Sequence, residues 1–155
     1  MTASSWPDGV TGLDHTADVG LIVRAPTLED LFRRAADGMM ALLVGGADEE
    51  ATGDQRRPSP ARGDAPGTER EVALDAPDLE ALLVAWLREL LFLFQVRGFG
   101  CAAAHFEALS ATRLKAHVSG GPSAEAVMEL KGVTYHALAV RREGDGWFAR
   151  VVFDV

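Results

Sequence analysis

Cysteine is almost absent from this chain, with Cys101 alone among 155 residues. A single thiol makes no internal disulfide, and without a Cys-x-x-Cys spacing there is neither a zinc knuckle nor a redox pair, so Cys101 reads as a small buried residue. Lysine is nearly as scarce, at Lys115 and Lys131, and 15 basic against 23 acidic residues leave a formal net charge of −8. Nucleic-acid affinity rests on Lys and Arg neutralising phosphates, so strong direct binding to RNA or DNA is not expected. No run approaches the roughly 20 apolar residues of a membrane span. Residues Met1 to Val10 lack the basic start and apolar core of a signal peptide. The expectation is a soluble, cytoplasmic protein that engages no membrane.

The familiar catalytic signatures are missing as well. There is no Gly-x-x-x-x-Gly-Lys-Ser/Thr, no Gly-x-Gly-x-x-Gly after a strand, no His-Glu-x-x-His and no Gly-x-Ser-x-Gly. The four histidines, His15, His105, His117 and His136, contain no pair at helical ligand spacing. Each reads singly as a hydrogen-bonded structural residue.

What is present is a core. The chain is 48% hydrophobic, and a domain of this size buries roughly 70% of its unfolded surface, so residues 1–155 read as one domain. Thr16 to Ala25 alternates, with Val19, Leu21 and Val23 on one face and Asp18, Gly20, Ile22 and Arg24 on the other, the pattern of a half-buried strand. Pro26 ends it. Thr27 then offers an N-cap hydroxyl, with Glu29 and Asp30 in the first turn where negative charge suits the helix dipole. Leu28, Leu31, Phe32, Ala35, Met39, Leu42 and Leu43 continue at helical spacing until Gly45-Gly46. From about 47 to 68, Pro58, Pro60, Pro66 and several glycines interrupt any regular hydrogen bonding, and the stretch reads as a flexible surface loop.

Glu69 to Leu74 predicts a short strand, and Leu79, Leu82, Leu83, Trp86, Leu87, Leu90, Leu91 and Phe94 predict the principal core helix, from about Pro77 to Val96 with a stop at Gly98. Trp86 reads as packing rather than as part of a cofactor site. Five further strands are predicted, at Ala102 to Leu109, Thr112 to Ser119, Met128 to Lys131, Tyr135 to Glu143 and Trp147 to Asp154. A hairpin joins the last two through Glu143-Gly144-Asp145-Gly146. The predicted fold class is α+β, a two-layer sandwich with a mostly antiparallel sheet of about six strands and two main helices on one face.

Carboxylates at the two ends of the chain are the chemical lead. Asp14 and Asp18 would be about 13 Å apart in extended chain at roughly 3.3 Å per residue, too far to share one small ion. Asp18 is the one inside the alternating strand, and a neighbouring last strand would bring Asp154 and the main-chain carboxylate of Val155 beside it. Three such oxygen donors would repel one another without a cation, and their hardness points to calcium or magnesium rather than zinc or copper. Spacing alone equally accommodates Asp18 and Asp154 as solvated strand-end residues, which is the more economical reading.

Four separated motifs change that balance. His15-Thr16-Ala17-Asp18-Val19-Gly20, the helical stretch Asp78 to Leu91, Lys131-Gly132-Val133-Thr134-Tyr135-His136 and the terminal Val152-Phe153-Asp154-Val155 resemble, in the same order, the archease family. The resemblance fails only in the loop from Gly46 to Thr68. It implies a protein cofactor, not itself catalytic, for the RNA ligase of the guanylylated-histidine type. That ligase joins 2′,3′-cyclic phosphate or 3′-phosphate ends to 5′-hydroxyl ends in tRNA splicing and RNA repair. The cofactor promotes GTP-dependent guanylylation and multiple turnover. The resemblance also implies a divalent ion, Ca2+ or Mg2+, on Asp18, Asp154 and the terminal carboxylate of Val155.

Lys131 and His136 carry over as partner-contact residues. Lys131 would orient a phosphate or carboxylate of the partner, or else form a surface ion pair worth little. His136 would touch the partner or pack within its strand, and packing is the reading preferred. Two other classes remain alongside: a small divalent-metal hydrolase that activates water on the same carboxylates, and a general chaperone or adaptor that works through exposed apolar surface.

Overall fold

The computed structural model describes residues 6–12, 19–45 and 68–155. Nine elements follow in order: β1 (Val10–Gly12), β2 (Val19–Ala25), α1 (Leu28–Val44), β3 (Thr68–Asp75), α2 (Leu79–Arg97), β4 (Phe99–Leu109), β5 (Arg113–Pro122), β6 (Gly132–Glu143) and β7 (Gly146–Asp154). Apart from Thr68, the predicted loop over 47–68 lies outside the described residues, as do Asp14, His15 and Asp18.

Both helices begin and end where local chemistry places them. Thr27 accepts a hydrogen bond from the Asp30 amide at 3.1 Å, and Asp78 accepts one from the Ala81 amide at 2.8 Å, each satisfying an amide the first turn leaves free. Gly45 and Gly98 close the helices in the left-handed conformation. Helix α1 is amphipathic, burying Leu31, Phe32, Ala35, Met39 and Leu43. Helix α2 is buried nearly all round, leaving an open stripe along Arg88, Phe92, Gln95 and Val96.

The α+β class, the antiparallel pairing and the two helices stand, while seven strands rather than about six divide between two sheets instead of forming one. One sheet runs β1-β2-β7-β6 and the other β3-β5-β4. Each helix touches strands of both sheets, so the helical layer is covered on more than one side. This is why α2 is apolar round most of its circumference. At the centre, the Trp86 indole donates to the Phe32 carbonyl at 3.0 Å, and the Phe106 ring sits 5.2 Å from Trp86 and 6.4 Å from Phe32. Trp86 is therefore core. Gly38 brings α1 close to β2, since a Cβ there would lie 2.9 Å from a Leu21 methyl.

Two details of the strands differ from expectation. Residues Met128 to Lys131 form no strand; Leu130 is fully buried, but its carbonyl takes the Gln95 side chain at 2.8 Å instead of a ladder bond. Alternating burial there imitates a strand without a partner. The β6–β7 hairpin is present with Glu143 opposite Gly146, and the positive φ, +58°, falls on Gly144, so Gly144-Asp145 makes the turn.

Candidate functional site

Strand β7 lies between β2 and β6, and its last residues carry the candidate site. Val19 stands opposite Phe153 and Gly20 opposite Val152, while on the other side Gly132 stands opposite Asp154 and Val133 opposite Phe153. The register brings the residue that follows Asp18 and the residue that precedes Asp154 into direct pairing. Asp154 and Val155 are both exposed. Asp18 itself lies outside the described residues.

Lys131 is tied to this end by its backbone, whose amide donates to the Asp154 carbonyl at 2.7 Å. Its side chain is exposed, and among the described residues no ion pair occupies it. Of the two readings for Lys131, a surface ion pair finds no counterpart in the described part of the chain. The segment leading to it is pinned at intervals: Ser123 amide to Gly98 carbonyl at 2.8 Å, Val127 amide to Leu43 carbonyl at 2.7 Å, then the Gln95 bond to Leu130. Between this segment and the end of α2 is a cleft of about 720 Å³, lined by Phe94, Gln95, Val127, Met128, Leu130 and Lys131 among others.

His136 does not pack. In β6, residues 135–138 lie opposite Val151 alone, a bulge that throws Tyr135, His136 and Ala137 outward. Thr134 organises the turn: its hydroxyl donates to the Val152 carbonyl at 3.1 Å and accepts the His136 amide at 3.2 Å. Ala137 adopts φ +54°, unusual for a residue with a Cβ. The strand alternation that would have turned His136 inward is broken by the bulge's extra residues. Behind it, Arg88 donates to the Val133 carbonyl at 2.9 Å and lies 5.4 Å from the centre of the exposed Tyr135 ring. This aromatic–guanidinium pair beside the site went unremarked in the sequence, although Tyr135 adjoins His136 in the same motif.

The arrangement therefore gathers, at one end of the four-stranded sheet, an exposed aspartate, the main chain of Val155, an available ammonium and an outward-turned Tyr135–His136 bulge. Asp154 and the main chain of Val155 offer oxygen donors at the strand end, a set that suits a hard cation. Within the described residues no helix is long and apolar enough to cross a membrane.

The model of the Archease protein family matches residues 11–155. Protein archease of Methanosarcina mazei is 34% identical over 151 residues, covering 92% of this chain and 93% of its own length. Protein archease of Thermococcus gammatolerans is 33% identical over 150 residues, covering 92% and 95%. Among solved structures, protein 1598 of Methanobacterium thermoautotrophicum superposes with a TM-score of 0.65 at 24% identity, over 95% of this chain and 99% of its own. A Thermotoga maritima protein described as an archease, possible chaperone, superposes at 0.59 with 18% identity, over 94% and 96%. Both structures share the fold.

Proposed function

Because this chain belongs to the archease family, we propose that it is an accessory protein for an RNA ligase that joins 2′,3′-cyclic phosphate or 3′-phosphate ends to 5′-hydroxyl ends. It promotes GTP-dependent guanylylation of the ligase histidine, and so multiple turnover, without joining RNA itself. In this reading Asp18, Asp154 and the carboxylate of Val155 hold Ca2+ or Mg2+. Bound there, the ion would neutralise the crowded anions and present a charged tip to the ligase cleft.

The observation that carries the reading is the pairing of Val19 with Phe153, which places the covalent neighbours of Asp18 and Asp154 side by side. Lys131 and the Tyr135–His136 bulge flank that end as contacts for the ligase. A single-turnover guanylylation assay with ligase, GTP and this protein tests it, using Asp18→Ala and Asp154→Ala. Full stimulation by both variants removes the cation from the mechanism. No stimulation by the wild-type protein removes the ligase, and RNA turnover by the isolated protein makes it a hydrolase instead.

A further inference from the structure

The three-stranded sheet carries a second, chemically different constellation, on the face turned away from the helices. Val72, Ala116 and Val118 are buried on the inner face, so Glu71 and His117, one residue along each strand, point outward. Glu71 stands directly opposite His117, and His117 directly opposite His105. Direct cross-strand partners have Cβ atoms about 5 Å apart, so carboxylate, imidazole and imidazole form one row across β3, β5 and β4. A register shift between Phe106 and Ala108 brings Glu107 into the same group. The ligand atoms of Glu71, Glu107 and His117 all lie within 4.8 Å of one another, and His117 Nε2 is 3.6 Å from Glu107 Oε2.

We propose that Glu71, Glu107 and His117, with His105 as the fourth donor, form a binding site for a borderline divalent transition ion such as Zn2+. Tetrahedral zinc with ligands at about 2.0–2.2 Å needs donor atoms roughly 3.3–3.6 Å apart. The His117–Glu107 pair already has that spacing, and Glu71 joins it with all three ligand atoms inside 4.8 Å; the exposed His105, opposite His117, would turn toward them to complete the set. Imidazole in the donor set selects Zn2+, Cu2+ or Ni2+ over Ca2+ and Mg2+, the reverse of the all-oxygen set at the end of β7. The ion would tie three strands together across the sheet.

At present Lys115 supplies the positive charge, with Nζ 3.3 Å from Glu71 and 3.5 Å from Glu107. Its ammonium beside Glu107 holds that carboxyl below the usual carboxylate range. The lysine stem is exposed and flexible, so a dication displaces a single charge without any buried group moving. This site is independent of the ligase reading and of Asp154.

The test is calorimetric titration of the full chain with Zn2+ in the presence of excess Ca2+, alongside NMR of the histidine imidazoles. One ion per chain is expected, with selective shifts at His117 and His105. Affinity should fall at least tenfold in His117→Gln and in Glu107→Gln, but rise in Lys115→Gln, which removes the competing ammonium. Asp154→Asn should bind Zn2+ as the wild type does. Absence of binding at millimolar Zn2+, unchanged affinity in His117→Gln, or loss of binding in Asp154→Asn each overturns the proposal, and the wild-type imidazole shifts decide it even if a variant folds poorly.

Discussion

Val19 stands directly opposite Phe153, with Gly20 opposite Val152 behind it, so β2 and β7 are in register up to the residues that adjoin Asp18 and Asp154. A register displaced by one would turn Asp154 to the other face of the sheet, because successive side chains alternate. The buried pair Leu21 and Val151, directly opposite each other and both fully inaccessible, locks that register. Placement of the acidic end is thus a by-product of the core.

The first prediction concerns the cation. Calcium should raise the melting temperature of the wild-type protein, by about 2.7 kcal/mol of stability at a hundred times its Kd. Asp154→Asn should abolish the calcium-dependent rise while leaving the calcium-free melting temperature within a degree or two, since Asp154 is exposed. Adding two residues after Val155 should weaken calcium as well, because a peptide bond replaces the carboxylate. Thermal melts in calcium and in EDTA measure all three, and an undiminished calcium effect in Asp154→Asn would count against the ligand set.

Lys131 separates contact from folding. Its backbone amide holds the Asp154 carbonyl, whereas its side chain has no ion-pair partner among the described residues. Lys131→Ala keeps the amide and deletes the charge. Stimulation of ligase guanylylation should drop several-fold with unchanged urea stability, and Lys131→Arg should recover part of it. His136→Ala should behave similarly, since the bulge leaves that ring exposed. Equal loss of stability and stimulation in these variants would instead make both residues structural.

What the sequence revealed and what it hid divide by range. Thr27, Gly45 and Gly98 were legible as caps because each acts on amides or carbonyls within its own turn, whereas the Asp78 cap emerged only with the structure. The division into two sheets was not, since it depends on which distant strands pair. Met128 and Leu130 mimicked a strand because burial alternates there for reasons of packing against α2. His136 was misplaced because its bulge follows from register, which Thr134 sets through Val152. His105 and His117 looked unrelated for the same cause: no helical spacing joins them, and only the β4–β5 register makes them neighbours.

Trp86 gives the core prediction. It is fully buried, packs on Phe106 and donates to the Phe32 carbonyl. Trp86→Ala should cost about 3–5 kcal/mol, as for other large aromatic truncations. Trp86→Phe retains most of the packing and loses the hydrogen bond, at about 1 kcal/mol. Urea unfolding should rank the two in that order. A negligible effect of Trp86→Ala would reopen a functional role for the indole.

Cys101 supplies a pH prediction. It is partly buried, and burial together with the charge of Asp37 pushes its thiol up to about 12, from 9.0. The thiolate is the reactive form, so iodoacetamide at pH 8 should modify the native protein at least about a hundredfold more slowly than the unfolded chain, whose thiol keeps the ordinary value of 9.0. The same shift has a sign for stability. Between pH 9 and 12 the native thiol keeps a proton that the unfolded one releases, so its contribution is complete below pH 9 and is lost as the pH rises towards 12. Other groups titrate in that range, and Cys101→Ala isolates this one: wild-type stability should fall more steeply than the variant's from pH 9 to 11. Parallel curves, together with fast native labelling, would place the thiol in contact with water.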